Sequence, residues 1–303
     1  MDFSVTILGS SAAIPKVNRN TTSQYVICKN RHILIDCGEG TQIQLRKFKL
    51  KLQSVQIILI SHLHGDHILG LPGLVSSMQL LGRTSSLSIY GPKGISDFLL
   101  PILSIIGKGV QFDLNIVELE PNSNSIIFED NCITISNFPL QHRIPTHGFL
   151  IKEKPNKRRL LKDEFDKTGV SVAYIQKLIQ GFDIEDNNGV KVKYQDVTME
   201  GKLSKSYAYC SDTCFTPKII EYIADVDLLY HEATFLDKEA DRASETYHST
   251  AKQAASIALN AKAKRLLLGH ISARYNDLLQ HEIEAKEIFE NVSVVKDGDV
   301  YNL

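Results

Sequence analysis

Four residues able to bind a metal ion lie within six consecutive positions. The run His-x-His-x-Asp-His supplies them as His62, His64, Asp66 and His67. Because side chains alternate along an extended chain, His62 and His64 are expected to project to the same side, before the chain turns into a helix at Asp66 and His67. Imidazole and carboxylate ligands without cysteine favour a catalytic zinc or similar divalent ion. The run predicts two neighbouring metal ions; the alternative is a histidine-rich surface loop.

Further polar residues of catalytic type come shortly after apolar, strand-like runs. These are His62 after Ile57 to Ile60, His142 after Cys132 to Ser136, Asp212 after Tyr207 to Cys210, His231 and Glu232 after Val226 to Tyr230, and His270 after Arg265 to Leu268. Strand ends at one edge of packed sheets commonly build a site on a rigid scaffold. We therefore expect five strand ends to converge. Taken singly, His142 and His270 are as compatible with a surface or packing role as with metal binding.

A carboxylate can bridge two metal ions because it has two oxygens, whereas a neutral imidazole cannot. Asp212 is the best candidate for the bridge. The expected ligands are His62, His64 and His142 for one ion, and Asp66, His67 and His270 for the other. In such pairs, about 3.5–4 Å apart, a bridging water loses a proton near neutral pH and attacks in line. Phosphodiester hydrolysis is the reaction that this arrangement favours most.

Proton transfer needs an acceptor and a donor. We expect Asp66 to accept the proton of the attacking water in addition to binding metal, and His248 to protonate the leaving oxygen. Glu232 is placed to orient and charge that imidazole. The alternatives are a helix-capping role for His248 and a surface position for Glu232.

Composition indicates an ordinary globular chain without a strong overall charge. With 303 residues and 43% hydrophobic content, it is long enough for one large domain or two small ones. A net charge of -1 excludes a uniformly basic nucleic-acid-binding protein but not a local basic patch. Five cysteines without a CxxC pair argue against a disulfide framework and predict a reducing cytoplasm. No signal sequence or membrane span is predicted.

Strand-like and helical stretches alternate through most of the chain, which predicts an α/β fold. Predicted strands cover Phe3 to Leu8, Gln24 to Cys28, His32 to Asp36, Cys132 to Ser136 and Ser206 to Cys210. Predicted helices cover Gly40 to Phe48, Ile68 to Leu81, Gly94 to Ile106, Lys218 to Ala224 and Ala251 to Ala261, the last capped by Ser249 or Thr250.

The segment 151–205 interrupts this alternation with a polar, charge-dense sequence. It contains 12 Lys and Arg against 9 Asp and Glu, a net charge of +3. Because the strand-like pattern resumes at Ser206, we interpret the segment as an arm inserted in a single domain spanning residues 1–303. The alternative is a solvated surface hairpin.

The sequence resembles the ribonuclease Z family of the metallo-β-lactamase superfamily. The superfamily signature is the run from Ser61 to His67, and the narrower match follows in order along nearly the whole chain. Its motifs are Leu8 to Pro15, Arg19 to Thr21, Asp36 to Thr41, Ala208 to Thr213, His231 to Thr234, His248, and Gly269 to Tyr275.

The resemblance implies a four-layered αββα sandwich with a protruding RNA-binding arm and two Zn²⁺ per subunit, with Mn²⁺ or another divalent ion as the alternative. It also implies a homodimer that removes the 3′ trailer of precursor tRNA, with the ligands assigned above, Asp66 as proton acceptor, and Glu232 with His248 assisting the leaving group. Candidate RNA contacts are Lys16, Arg19, Arg274, Lys157, Arg158 and Arg159.

Other functions remain open at this point. A small-molecule hydrolase of the same superfamily, such as a lactonase, thioesterase or arylsulfatase, is compatible with the nearly neutral charge. A non-catalytic RNA-binding module is expected to lose ligands, yet all seven are present. DNA is not an expected substrate, because DNA-processing members carry a large domain before the last histidine, and only 57 residues separate Asp212 from His270.

Overall fold

The computed structural model describes residues 3–106 and 109–303. Its strands are β1 (Phe3–Gly9), β2 (Ser11–Ala12), β3 (Ser23–Cys28), β4 (Arg31–Ile35), β5 (Ile57–Leu59), β6 (Leu87–Pro92), β7 (Leu114–Leu119), β8 (Ser125–Glu129), β9 (Ile133–Leu140), β10 (Thr146–Glu153), β11 (Arg159–Leu160), β12 (Ile184–Glu185), β13 (Lys191–Val192), β14 (Thr198–Met199), β15 (Ser206–Cys210), β16 (Leu228–Glu232), β17 (Leu266–Gly269), β18 (Ile271–Ser272), β19 (Val292–Val294) and β20 (Val300–Asn302).

The helices of the described residues are short, and the longest has 12 residues. They are α1 (Thr41–Lys47), α2 (Gly65–Ile68), α3 (Leu71–Leu80), α4 (Ile95–Ile106), α5 (Lys162–Lys167), α6 (Ile175–Ile179), α7 (Tyr194–Val197), α8 (Ala240–Thr246), α9 (Ala251–Asn260) and α10 (Leu279–Lys286). Single 3₁₀ turns occur at Leu52–Ser54, Val172–Tyr174, Pro217–Glu221 and Asp237–Glu239. A membrane span needs about 20 apolar residues, and within the described ranges every helix is too short or too polar to provide one.

Two seven-stranded sheets form the larger unit, which comprises residues 1–152 and 205–303. The first has the order β20-β1-β3-β4-β5-β6-β7, and the second β19-β17-β16-β15-β10-β9-β8. Strands β4 to β7 pair in parallel, and so do β15, β16, β17 and β19. Because parallel strands in one sheet end at the same edge, these two sets bring the polar residues that follow them to common edges.

Alternation along the strands separates three apolar layers. Ile33 and Ile35 of β4 lie in the core between the sheets with Tyr209 of β15. Leu34 faces the other way, into a cluster with residues of α3 and α4, and Ala208 faces a third cluster with residues of α9. Since successive strand residues point to opposite faces, the result is a helix, sheet, sheet, helix arrangement. The expected αββα fold is confirmed.

Most predicted elements agree with the structure to within a few residues, but two helices differ. The predicted helix Ile68 to Leu81 is divided into α2 and α3, and it begins earlier, at Gly65. Gly70 lies at the division, where an added Cβ would come within 2.1 Å of the Gly38 carbonyl oxygen, and Pro72 lies in the first turn of the second helix. The predicted helix Lys218 to Ala224 is instead the 3₁₀ turn Pro217–Glu221.

Residues 153–204 form a second compact unit. It contains the paired strands β11 and β14, the paired strands β12 and β13, and helices α5 to α7. Its own core consists of six buried residues, Phe165, Val170, Leu178, Ile184, Val192 and Val197. Because these limits exclude Lys152 and Lys205, the unit has 10 basic and 9 acidic residues and a net charge of +1, lower than the +3 of segment 151–205.

Candidate metal centre and active-site cleft

One cluster of potential ligands consists of His62, His64, His142 and Asp212. The Nε2 atom of His62 lies 3.0 Å from Nδ1 of His64, and Nε2 of His142 lies 3.3 Å from the same atom. The Asp212 Oδ2 atom lies 3.5 Å from His62 Nε2 and 3.8 Å from His142 Nε2. Four donor atoms therefore surround a common point.

A second cluster consists of Asp66, His67 and His270. The Nε2 atoms of His67 and His270 lie 3.3 Å apart, and the Asp66 Oδ2 atom lies 3.5 and 3.4 Å from them. Here Asp212 presents its other oxygen, since Oδ1 lies 3.4 Å from His67 Nε2 and 3.2 Å from His270 Nε2. Asp212 thus directs one oxygen towards each cluster, the arrangement that a bridging carboxylate requires.

These donor sets fit divalent ions. Ligand nitrogens about 2.0–2.1 Å from a tetrahedral zinc ion lie about 3.3 Å from one another, which matches the spacings in both clusters. Imidazole and carboxylate donors suit zinc and, with more oxygen ligands, manganese. The structure thus brings together all seven residues that the sequence singled out as ligands.

Strand ends and short turns place the ligands. His62 follows β5, Asp212 follows β15 and His270 follows β17, while α2 carries Asp66 and His67. Close backbone packing holds α2, because a Cβ on Gly38 would lie 2.4 Å from the Asp66 carbonyl oxygen. His270 has a φ of 53°, a left-handed conformation that is costly for a non-glycine residue and is often found at functional sites.

Hydrogen bonds at the Nδ1 atoms of three candidate histidine ligands orient their rings. His67 donates from Nδ1 to Asp36 Oδ2 at 2.8 Å, and His142 donates from Nδ1 to the Tyr247 carbonyl at 2.9 Å. The Thr234 hydroxyl lies 3.1 Å from Nδ1 of His270. Such contacts fix the ring orientation and the tautomer of a metal-binding histidine.

Asp36 lies behind the candidate ligand His67, and the sequence assigned it no role. It is fully buried, has a φ of 55°, and accepts hydrogen bonds from His67, Ser61 and Tyr209. The sequence could have indicated Asp36, because it is a carboxylate at the end of the predicted strand His32 to Asp36, as Asp212 and Glu232 are at the ends of theirs. Its partners, however, lie far away in sequence.

His248 and Glu232 form an ion pair beside the clusters. The Nδ1 atom of His248 lies 2.8 Å from Glu232 Oε1, and the imidazole rings of His142 and His270 lie 5.2 and 5.5 Å from that of His248. Burial alone would lower the pKa of His248, but the Glu232 carboxylate raises it to about 9. Glu232 is fully buried and also accepts from the backbone N–H groups of Thr213 and Thr234, so it is not a surface carboxylate.

Asp66 has the surroundings of an ionised carboxylate. Its Oδ2 atom accepts a hydrogen bond from the Ala13 backbone N–H at 2.8 Å. Burial would raise the pKa of Asp66, but the opposing His67 and His270 hold it well below its ordinary value. The carboxylate can therefore accept a hydrogen bond from a water molecule as well as bind metal.

A cleft of about 760 Å³ opens over the clusters. Asp66, His142, His248 and His270 line it, together with three exposed arginines, Arg143, Arg242 and Arg274. The Arg274 guanidinium lies 5.1 Å from the centre of the Phe235 ring and 3.0 Å from Glu239. Arg143 donates to the Glu245 carbonyl. The sequence identified Arg274 but missed Arg143 and Arg242, which no motif marked.

The other candidate RNA contacts differ in their surroundings. Lys16 donates to the Ala273 carbonyl and Arg19 to the Tyr275 carbonyl, so both connect loops of the larger unit. In the smaller unit, Arg158 donates to Thr198 and lies over the Tyr194 ring at 4.8 Å. Lys157 and Arg159 are exposed.

Comparisons with known proteins agree with this geometry. A family model described as beta-lactamase superfamily domain matches residues 186–271, and one described as anti-Pycsar protein Apyc1 matches residues 3–102. The chain is 42% identical over 297 residues to a protein of Parabacteroides distasonis named ribonuclease Z, covering 98% of each. It is 44% identical over 298 residues to the ribonuclease Z of Phocaeicola vulgatus, covering 97% of this chain and 96% of that one.

A solved structure supports the same assignment. The crystal structure of human tRNase Z, short form (ELAC1), superimposes with a TM-score of 0.73 at 28% identity, covering 99% of this chain and 98% of the human one. With relatives above 40% identity over nearly the full length, the family predicted from the motifs is confirmed: the chain belongs to the ribonuclease Z family, whose members share the metallo-β-lactamase fold.

Proposed function

We propose that the chain is a metal-dependent endoribonuclease that hydrolyses the phosphodiester at the 3′ end of precursor tRNA, removing the trailer and leaving a 3′-hydroxyl on the tRNA. The observation that carries the proposal is the His248 and Glu232 pair at 2.8 Å, directly beside the two ligand clusters. The ribose 3′-alkoxide is a poor leaving group that needs a proton donor, whereas the thiolate of a thioester or the phenolate of an aryl sulfate needs one much less. The names of the relatives, ribonuclease Z and tRNase Z, support the same substrate.

Two zinc ions, or manganese or another divalent ion in their place, are the proposed cofactors. His62, His64 and His142 would hold one ion, Asp66, His67 and His270 the other, with Asp212 between them. When bound, such a pair supplies an activated water and stabilises negative charge on the phosphate. Asp66 would accept the proton of the attacking water, and the hydrogen bond from the Ala13 backbone N–H holds its carboxylate in place.

His248 is the proposed acid. Held in its charged form by the buried Glu232, it can donate a proton from Nε2 to the leaving oxygen, because Nδ1 is occupied by the carboxylate. Arg143, Arg242 and Arg274 give the cleft three permanent positive charges, which suits the phosphates on either side of the cut.

Residues 151–205 are proposed to form the RNA-binding arm. Their support is the separate small core of residues 153–204 and the basic run 154–162, which has five Lys and Arg and no acidic residue. A basic surface of this kind binds the phosphate backbone without reading sequence. We further propose that the protein acts as a homodimer, and that it works in the cytoplasm, where its five free cysteines would stay reduced.

Cleavage of a precursor tRNA with a 3′ trailer tests the function. Purified protein supplied with zinc or manganese is expected to release the trailer after the discriminator base or after the CCA end. Hydrolysis of lactones, thioesters or aryl sulfates without any cleavage of the precursor would instead support the small-molecule alternative and refute the nuclease. Sedimentation of the same preparation distinguishes a dimer from a monomer.

Metal content tests the bridge separately. Replacing Asp212 by Ala removes one oxygen from each cluster, so the variant is expected to retain fewer metal ions per chain after dialysis. The exposed Asp113 provides a control, because its replacement by Ala should leave the metal content unchanged. Wild-type metal content in the Asp212→Ala protein would refute the bridging assignment.

A further inference from the structure

We propose that Tyr209 is a positioning residue for the metal centre: its hydroxyl holds Asp36 in the orientation that directs His67 at the metal. The inference rests on the metal proposed above. It concerns a residue in the centre of the core whose hydroxyl reaches from one sheet to the other.

Tyr209 and Asp36 connect the two sheets beneath the ligand clusters. Tyr209 lies on β15 of the second sheet, while Asp36 directly follows β4 of the first. The Tyr209 hydroxyl donates to Asp36 Oδ2 at 2.6 Å, and both residues are fully buried. The hydroxyl also lies 3.4 Å from Ser211 Oγ, and its shorter bond to Asp36 is one of those that restrain the carboxylate, since a buried polar group is costly unless it is hydrogen-bonded.

The other donors to Asp36 come from a single segment. Ser61 donates to Oδ1 from its backbone N–H at 2.7 Å and to Oδ2 from its hydroxyl at 2.8 Å, and His67 donates to Oδ2 at 2.8 Å. Ser61 directly precedes the ligand run and His67 is its last ligand, so both would move together with it. Tyr209 is the donor that approaches from the opposite sheet, and it ties the carboxylate to a fixed strand.

Neighbouring Tyr207 shows what a packing tyrosine in this strand looks like. It lies two residues away on the same face of β15 and is also fully buried. Its hydroxyl donates to Gln24, and among the described residues the side chain of Gln24 has no hydrogen bond to a candidate ligand. The two tyrosines therefore lie on the same strand, in the same apolar layer, and are equally buried. They differ in that only the Tyr209 hydroxyl bonds a residue, Asp36, that in turn bonds a candidate ligand.

Replacement of Tyr209 by Phe removes the hydroxyl and keeps the ring. The ring stacks on Tyr230 with centroids 5.0 Å apart and an interplanar angle of 13°, a contact that Phe can reproduce. Asp36 would retain its bonds to Ser61 but lose its tie to the second sheet, leaving the His67 ring less well fixed. Mutating the group that bonds a metal ligand, here Asp36, typically costs about 10–100-fold in metal affinity. Because Tyr209 lies one contact further out, its loss is expected at the lower end of that range.

The test compares the full-length proteins Tyr209→Phe and Tyr207→Phe with wild type. Zinc affinity is measured by competition with a chromophoric chelator, the absorption spectrum of the cobalt-loaded protein reports ligand geometry, and thermal unfolding of the metal-free proteins reports folding. We expect Tyr209→Phe to bind at least one ion about 10-fold more weakly and to alter the cobalt spectrum. Tyr207→Phe is expected to match wild type in zinc affinity and in the cobalt spectrum. The two metal-free variants should unfold at the same temperature.

A double-mutant cycle tests whether Tyr209 acts through Asp36. In an Asp36→Asn background, Tyr209→Phe should weaken zinc binding much less than it does in wild type, since coupled residues give non-additive effects. Wild-type zinc affinity in Tyr209→Phe, or equal weakening by Tyr207→Phe, would overturn the proposal while leaving the nuclease function intact. A wild-type protein that binds no divalent metal would overturn both.

Discussion

At the scale of single residues, the role of Glu232 can be separated from that of His248. Replacing Glu232 by Gln keeps the shape but removes the charge that raises the pKa of His248. A proton donor acts only while protonated, so cleavage should fall as pH rises through that pKa. Because the variant has a lower pKa, the fall should begin at lower pH, and the loss should be larger at pH 8 than at pH 6, reaching about 100-fold.

This prediction is checked by the pH dependence of kcat/KM for precursor tRNA with the protein saturated in metal. The exposed Glu245 supplies a control, because its side chain faces solvent, and Glu245→Gln should reproduce the wild-type profile. A uniform loss of activity at every pH in Glu232→Gln would mean that Glu232 is structural and does not set the protonation of His248.

Sequence could predict residues whose chemistry is visible locally. The four ligands of the His-x-His-x-Asp-His run lie within six positions, and His142, Asp212 and His270 each follow an apolar run. Asp36 and Tyr209 were not predicted as a pair because 173 positions separate them, and their contact depends on how two sheets face one another. Arg143 and Arg242 were missed for a similar reason, since no local sequence pattern indicates that an arginine will line a cleft.

At the scale of secondary-structure elements, the position of α2 depends on the absence of a Cβ at Gly38. An added Cβ would lie 2.4 Å from the Asp66 carbonyl oxygen and 2.3 Å from the Thr21 hydroxyl. Gly38→Ala should therefore push α2 away, displace Asp66 and His67, weaken metal binding, and destabilise the protein by about 1–3 kcal/mol. Chelator competition and urea unfolding measure the two effects.

The matched control is Gly73→Ala in α3, where the added Cβ would lie 3.4 Å from Gln42 Nε2. This position is helical, so alanine should be neutral or stabilise the helix by up to about 1 kcal/mol. Equal metal affinity in the two variants would show that the close packing at Gly38 does not position the ligands. The same packing explains why hydrophobic periodicity predicted one helix where the structure has α2 and α3: the division at Gly70 arises from a tertiary contact with Gly38.

At the scale of the whole molecule, the sequence showed that residues 151–205 differ from their surroundings. It predicted the strand that follows them, Ser206 to Cys210, but not β10, which precedes them. Composition did not predict the internal core around Phe165 and Leu178, because five short elements with weak periodicity form it. The unit limits also leave only a net charge of +1, so the arm's proposed affinity for RNA depends on local clustering of charge, as in the run 154–162, and not on the total.

Antiparallel pairing of β10 with β15 allows this unit to be removed cleanly. Lys152 and Ser206 are direct partners in that pairing, so replacing residues 153–205 by Asn-Gly closes a two-residue hairpin between them. If the arm binds RNA, the deletion should weaken binding of precursor tRNA strongly and reduce its dependence on salt, while hydrolysis of a small phosphodiester such as bis(p-nitrophenyl) phosphate continues. A variant with Lys154, Lys157 and Arg159 replaced by Gln, which retains the core, should show part of the binding loss. Loss of both activities together in this substituted variant would argue against a separate RNA-binding role for the segment.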